Sequence, residues 1–598
     1  MEALNNSSAV DVVNLFLRQW SSSVAQRKAK ATLEPKAEQA IFSMNMTENF
    51  VKFVRAMSKI YFIGVDVGSG SVRAALVDEI GHIIKTSVKN LQTWKPKPDF
   101  YEQSSNDVWD CCAHVIKAVV QNVDSANVKG IGFDATCSLV ALDKNGNPKS
   151  VSDSKNNEQN IIMWMDHRAQ AEADLINKTK HEILKYVGGK VSLEMEMPKL
   201  LWLKKNLPND WPDYGYFFDL PDFLTWKATG SMSRSLCSLV CKWNYECSTD
   251  GKKGWNINFL EEIGLADLSS EDFKKIGNKV LMPGEYCGGL TADVAKELNL
   301  LPGTPVATSI IDAHAGGLGM IGAKSLGIDD TKSSRLGLIC GTSTCHMAVN
   351  EKPILVKGVW GPYFSAMVPN MWLNEAGQSA SGMLLDYVIE SHPAGAKLLK
   401  NSTGEVRTYL RGLLTKMANS QGLEHVSLLT KDFHLWPDFH GNRSPLADPT
   451  MKGMIIGLTL NISEENLALL YLATIQALSY GTRHIIDALV QAGYTPFKSL
   501  LICGGITKDP LFVETLTDSV GIPVLKPHEK ESVLVGAAVL GACASTYFNN
   551  VEAALQSMGG LADVVMPNLA IKSYHDKKYQ VFLKMFQDQK EYRNIMNI

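Results

Sequence analysis

The chain has 598 residues, 45% hydrophobic and 20% charged, the balance of a globular protein with apolar material for more than one core. Its 59 basic and 62 acidic residues leave a net charge of −3, so no overall basic excess exists to hold nucleic acid or an anionic membrane. No apolar run reaches the roughly 18 residues that a membrane-spanning helix needs.

Residues 1–58 differ in character from the rest of the chain. A polar stretch at 5–8, a basic, proline-bearing stretch at 26–36 and weak helical apolar spacing predict a flexible extension. Glu2, Asp11, Glu34 and Glu38 argue against a mitochondrial leader, and no signal-peptide pattern is present. The ordered fold is expected to begin at Lys59.

Residues 61–65 are apolar β-formers and end in Asp66-Val67-Gly68-Ser69-Gly70-Ser71. Val72, Ala74 and Leu76 then alternate with Arg73, Ala75 and Val77. That is strand, glycine turn, strand. It differs from a Walker loop, where the glycines lead into a helix and a Lys-Ser/Thr pair comes next. The turn amides and the hydroxyls of Ser69 and Ser71 suit a phosphate. Asp66 at the strand end suits Mg²⁺ held through water. A plain hairpin with an acid at its edge fits this stretch equally.

Leu200-Leu201-Trp202-Leu203 reads as core packing, and Phe217-Phe218-Asp219 with residues 222–226 as a buried helix beside a site. Residues 306–311 are apolar and lead into Asp312-Ala313-His314-Ala315-Gly316-Gly317, where Asp312 fits a helix N-cap. The strand–turn–strand pattern then recurs: residues 336–340 are apolar, Gly341-Thr342-Ser343-Thr344 is a small polar turn, and residues 345–349 resume as a strand. The repetition predicts two related lobes, each offering a loop to one shared ligand. His434 and His440, in or beside a loop running from Trp436 to Arg443, carry no expectation of metal ligation. A third unit, residues 500–503 with Gly504-Gly505 next and a helix opening at Asp509-Pro510, suits the base or sugar of a nucleotide, since glycine allows close approach. Residues 533–544, rich in glycine and alanine, read as a buried helix. Apolar spacing at 579–585 predicts a tail helix on the second lobe.

The chain has 11 cysteines and no Cys-x-x-Cys pair. Reduced thiols in a reducing compartment, rather than a disulfide framework or a zinc site, are expected, and with them a cytoplasmic location.

In order and spacing, several motifs line up with one family: Asp66-x-Gly68-Ser69-x-Ser71-x-Arg73, Trp164-Met165-Asp166-His167-Arg168, Asp312 in its Ile-Ile-Asp-Ala-His setting, Gly341-Thr342-Ser343-Thr344, Glu375-Ala376-Gly377-Gln378-Ser379 and Gly504-Gly505. From about Lys59 to about Ala544 the chain resembles the FGGY carbohydrate kinases of the actin/Hsp70/hexokinase superfamily. The resemblance implies an α/β fold of two related actin/hexokinase-like lobes, with ribonuclease H-like mixed sheets flanked by helices around a nucleotide cleft. Residues 59–318 would form the lobe that binds sugar and phosphate, and residues 319–598 the nucleotide lobe with its helical tail. ATP and Mg²⁺ are the implied cofactors, with Asp66 as the metal residue.

The resemblance makes Asp312 the general base toward a sugar hydroxyl. It puts Gly68, Ser69, Gly341 and Thr342 on the β- and γ-phosphates, with Ser71 in the same turn, and Gly504 and Gly505 on the floor of the adenosine pocket. Arg73 is either a phosphate partner or an outward strand arginine. Lys508 is either a nucleotide contact or a solvated lysine. On the sugar side Lys242 supplies donors, Glu375 and Asp312 supply acceptors, and Trp164 offers a flat wall. Thr136 and Ser138 reach either hydroxyls or backbone, and Asp166 with Arg168 reads as a structural ion pair. Within the family the match is closest to ribulokinases, and Thr136-Cys137-Ser138-Leu139-Val140 resembles the branch acting on D-ribulose. The implied reaction is ATP-dependent phosphorylation of D-ribulose to D-ribulose 5-phosphate. L-ribulose, D-xylulose or a pentitol remain alternatives, as does a non-catalytic ATP-binding sugar sensor or scaffold. The expected partners are a sugar and ATP, with no nucleic acid and no membrane. The oligomeric state is left open, a homodimer included.

Overall fold

The computed structural model describes residues 59–401 and 406–596; the extension expected over residues 1–58 lies outside them. In the first lobe β1 (Tyr61–Val67) turns through residues 68–70 into antiparallel β2 (Ser71–Asp78), which pairs with β3 (Ile83–Asn90). β4 (Val128–Ala135) runs parallel to β1 and places Asp134 directly beside Asp66. β5 (Tyr286–Gly289) and β6 (Pro305–Ala307) complete the order β5-β6-β4-β1-β2-β3, and β7 (Ile310–Ile311) also pairs with β4. β1 is a nearly unbroken run of buried residues, as a strand covered on both faces must be.

The second sheet comprises β8 (Arg335–Cys340), β9 (Thr344–Asn350), β10 (Trp360–Phe364), β11 (Trp372–Gln378), β12 (Ser499–Cys503), β13 (Val524–Pro527) and β14 (Ala562–Val565). Its order is β10-β11-β9-β8-β12-β13-β14. β8 is antiparallel to β9 and parallel to β12, β12 is parallel to β13, and β13 is antiparallel to β14. The first sheet runs the same pattern through β1, β2, β4, β6 and β5. The two glycine turns are therefore the visible part of a repeat in topology.

Four helices matter for the site. α1 (Leu236–Lys242) and α2 (Asp312–Ile321) begin in the first lobe, and α2 runs past the boundary expected at residue 318. α3 (Ser532–Ala544) comes after most of the second sheet in sequence yet packs on α2 and on β1 and β4 of the first. Glycines permit this. A Cβ on Gly64 would stand 2.0 Å from the Leu534 carbonyl, and one on Gly132 would stand 1.9 Å from that of Ala537. Gly319 and Gly536 let α2 and α3 meet equally closely: a Cβ on either would come within 2.0 Å of a carbonyl of the other helix. The glycine and alanine content of residues 533–544 thus reflects backbone-to-backbone packing. α4 (Lys572–Met596) buries Tyr579, Phe582 and Met585 in a cluster with Trp436, Met451 and Tyr480 of the second lobe.

One expected element differs. Phe217-Phe218-Asp219, read as helical, lies in a strand, Tyr214–Asp219, paired with Leu139–Asp143. Aromatic side chains favour a half-buried sheet surface. The helix starts only at Leu220, where Asp219 accepts the Leu220 amide and Pro221 occupies the first turn. All eleven cysteines are free. Among the described residues no helix is long and apolar enough to cross a membrane.

Candidate active site

Three carboxylates converge at the ends of parallel strands. Asp66 ends the apolar part of β1 and is buried. Asp134 lies beside it in the sheet register, is fully buried, and accepts no N–H or O–H on either oxygen, its polar neighbour being the Asp66 carboxylate. Asp312 opens α2 just after β7, which pairs with β4 at Asp134 and Ala135. Its Oδ1 accepts the Ala313 amide at 2.7 Å, so the carboxylate sits in the first turn and not at the N-cap, which is Ile311. Burial, then the nearby Asp66 charge, pushes the Asp312 carboxyl up to about 7. Burial, reinforced by Asp66, holds Asp134 well above the usual carboxylate range. The sequence by itself gives Asp134 no role.

Arg73 does not project as a bare strand arginine. It faces Asp66 across the β1–β2 pair, donates Nε to Asp66 Oδ2 at 2.8 Å, pairs Nη2 with the same oxygen, and bonds Glu531 at 2.6 Å just before α3. Both Asp66 bonds fall on Oδ2. Asp66 near the end of β1 and Asp312 just after β7 offer hard oxygen donors, the type Mg²⁺ takes, so the donor set fits that ion.

The phosphate-type turns lie at corresponding sheet positions. The Gly68 amide closes on the Ser71 carbonyl at 3.0 Å, and Ser71 opens β2 half-buried. In the second turn the Gly341 amide bonds the Ser343 carbonyl at 2.8 Å, while the carbonyls of Gly341 and Thr342 accept amides from residues 381–383. Gly504 has φ 99°, and a Cβ there would meet the Cys340 carbonyl at 2.3 Å, so glycine lets the β8 and β12 ends close together. Gly505 has open space where a side chain would be. Lys508 ends the short turn Gly505–Lys508 and is exposed.

The residues expected to meet a sugar are also brought together. Lys242 at the end of α1 donates to Glu375 on β11 of the other lobe at 3.4 Å; both are buried. Its ammonium lies 4.2 Å over the Trp360 ring. Burial pulls the Lys242 pKa down, but Glu375 first, with Cys137, Glu194 and Cys241, together more than reverse this and hold it well above its ordinary value. Burial pushes Glu375 up, but Lys242, His314 and Arg443 bring it below its ordinary value. Thr136 and Ser138 share a 3.2 Å hydroxyl contact, and Ser138 also accepts the Trp164 amide at 3.1 Å. The Trp164 indole donates to Ser69 Oγ at 2.8 Å, joining the sugar-side segment to the phosphate turn. Arg168 and Asp166 form a buried pair, 2.7 Å apart, with Glu102 as a further partner at 2.9 Å.

Arg443 is a residue whose role the sequence left open. It reaches across the lobes to Glu194 at 2.7 Å and lies 5.7 Å from the Trp360 ring. No linear spacing connects Arg443, Glu194 and Trp360; only the fold does. His434 meets Lys578 at 3.0 Å, and the His440 ring stacks on that of His167.

Two sheets of one topology, a shared helical core and paired glycine turns facing acidic strand ends define a two-lobed phosphotransferase-type fold. Matches to known proteins agree with this. The N-terminal domain model of the FGGY family of carbohydrate kinases matches residues 61–319, and the C-terminal domain model residues 336–545. The chain belongs to this family and is a carbohydrate kinase. An FGGY carbohydrate kinase domain-containing protein of Homo sapiens is 52% identical over 544 residues, covering 90% of this chain and 98% of the relative. A D-ribulokinase of Saccharomyces cerevisiae is 38% identical over 519 residues, covering 82% of this chain and 72% of the relative. In fold, the chain matches ligand-bound xylulose kinase from Lactobacillus acidophilus with a TM-score of 0.72 at 17% identity, over 88% of this chain and 98% of that one.

Proposed function

We propose that the protein phosphorylates D-ribulose at its 5-hydroxyl with ATP, Asp312 acting as general base. The observation that carries this reading is the buried Lys242–Glu375 pair beside Asp312 at the lobe junction. A polyol needs matched donors and acceptors, because an unpaired buried polar group is costly. The 38% identical yeast D-ribulokinase supports the choice of ketose.

In this reading the sugar's primary hydroxyl gives its proton to Asp312 as the γ-phosphoryl arrives, yielding sugar phosphate and ADP. A loose transition state asks more of positioning and charge neutralisation than of base strength. The amides of Ser69 and Thr342, with the turn hydroxyls, supply donors to the phosphates, while those of Gly68 and Gly341 close their own turns. Mg²⁺, held by Asp66 through water, would neutralise phosphate charge when bound.

The test is ADP release with Mg²⁺-ATP against D-ribulose, L-ribulose, D-xylulose, ribitol and glycerol. Selective turnover of D-ribulose is expected. Selective turnover of another sugar would overturn the choice of substrate, and no turnover with any of them would overturn the kinase mechanism for these sugars.

Lys242→Met removes a charged donor whose hydrogen bond is worth about 1.5–3 kcal/mol, so the KM for sugar should rise about tenfold or more. The KM for ATP should stay within about twofold; equal rises in both would argue against a sugar-side role. Asp312 must be ionised to accept a proton and titrates at about 7 in the free protein. The kcat/KM for sugar should therefore fall tenfold per pH unit below about 7 and level off above it. A flat profile between about pH 5.5 and 8 would remove Asp312 as the titrating base.

A further inference from the structure

Next to the sugar-side pair lies a cluster that the proposed reaction does not use. Cys237 and Cys241 sit four residues apart on α1, hence on one face. His314, in the first turn of α2, places Nε2 3.5 Å from Cys241 Sγ and 3.7 Å from Glu375 Oε2. The ligand atoms of Cys237, Cys241 and His314 all lie within 4.8 Å of one another. All three side chains are fully buried. Three elements from two lobes thus meet there: α1, α2 and β11.

We propose that Cys237, Cys241 and His314, with Glu375 as fourth donor, form an inhibitory site for a thiophilic divalent cation such as Zn²⁺. Tetrahedral zinc, with bonds of about 2.3 Å to sulfur and about 2.0–2.1 Å to nitrogen or oxygen, sets its N and S donors about 3.5 Å apart and its N and O donors about 3.3–3.4 Å apart. The observed 3.5 Å between Cys241 and His314 already matches, whereas Glu375, 3.7 Å from His314 but outside the set of three that lie within 4.8 Å of one another, must swing toward the thiols to complete the tetrahedron. Two thiols and a neutral imidazole select zinc over magnesium, which takes oxygen donors. On binding, both thiols release their protons to solvent. The resulting charges balance: two thiolates and the Glu375 carboxylate against Zn²⁺ and the Lys242 ammonium. A buried ion set of zero net charge avoids the cost of an uncompensated charge.

The consequence for function rests on the reading that Lys242 and Glu375 hold the sugar. Zinc, held by His314 in the same helix turn as Asp312, would take Glu375 from Lys242 and pin the two lobes together. Its occupancy would therefore exclude the sugar.

The test uses the full chain, stripped of metal with a chelator and titrated with Co²⁺, whose thiolate charge-transfer absorption reports Cys ligation. One Co²⁺ per chain is expected with that band, and Zn²⁺ should displace it. Cys237→Ser should abolish the band yet keep turnover with Mg²⁺-ATP and D-ribulose. Zinc should lower the parent's turnover about tenfold or more and the variant's less than about twofold. If the serine variant does not fold, Cys237→Ala supplies the same comparison. No band in the parent, or an equal band in the variant, would overturn the site; a zinc-displaceable band with unchanged parental turnover would overturn the inhibition. The band needs no kinase activity, so a failed sugar panel and a failed metal site are separate results.

Discussion

Asp312→Asn is expected to lower turnover about 10³-fold or more while ATP affinity stays within about twofold of the parent. The carboxamide keeps the shape at the start of α2 and can still accept the Ala313 amide, so the backbone of the first turn has no reason to move. What it loses is the ability to take the sugar's proton. Stability separates this from misfolding. The folded-state pKa of Asp312 lies above its ordinary value, chiefly through burial and next through Asp66. A group shifted this way costs nothing below about pH 4, where it is protonated in both states, and costs most above about pH 7, where the folded state must carry the buried charge. The asparagine variant should therefore match the parent's thermal midpoint near pH 4 and meet or exceed it at pH 8. Turnover within about tenfold of the parent in a folded variant would reject Asp312 as the base.

Gly132→Ala is expected to be the most damaging small change in the first lobe, costing about 3 kcal/mol or more or preventing folding. Overpacking in a well-filled core costs about 1–3 kcal/mol when side chains can give way. Here they cannot. The new methyl would stand 1.9 Å from the Ala537 carbonyl oxygen, 2.8 Å from its carbon and 3.1 Å from the Gly541 amide, all backbone atoms of α3. Either β4 or the whole helix must shift, and α3 carries the contact between the sheet and α2. Gly412→Ala is the control: it lies exposed in the helix Val406–Ser420 with open space around it, so alanine should stabilise by up to about 1 kcal/mol. Equal denaturant midpoints for Gly132→Ala and the parent would mean that the close packing of α3 on β4 contributes little to stability.

Much of the site is legible in the chain because its parts are local. A strand ending in an acid and a glycine turn shows itself within ten residues, and it does so at Asp66 and again, without the acid, at Gly341. The repeat of those turns leads to two lobes of one topology. Residues that act in pairs are harder to read. Arg73 has two readings in the sequence because its partner Glu531 comes from beside α3, far along the chain. Asp134 has no evident task there because its character depends on lying beside Asp66 in the sheet. Phe217 and Phe218 read wrongly as helix because a short aromatic run fits the buried face of either element, and pairing with Leu139–Asp143 decides for the strand.

The fold class, the paired turns and the carboxylate at the start of α2 are thus written in contiguous backbone and side-chain pattern, and the chain's own order of residues is enough to specify them. Which charges meet is settled by packing in three dimensions: Lys242 with Glu375, Arg443 with Glu194, and Cys237 and Cys241 with His314. Ion pairing, metal ligation and desolvation act over a few ångströms of space. Residue spacing along a chain does not specify those distances until helices such as α2 and α3 have packed.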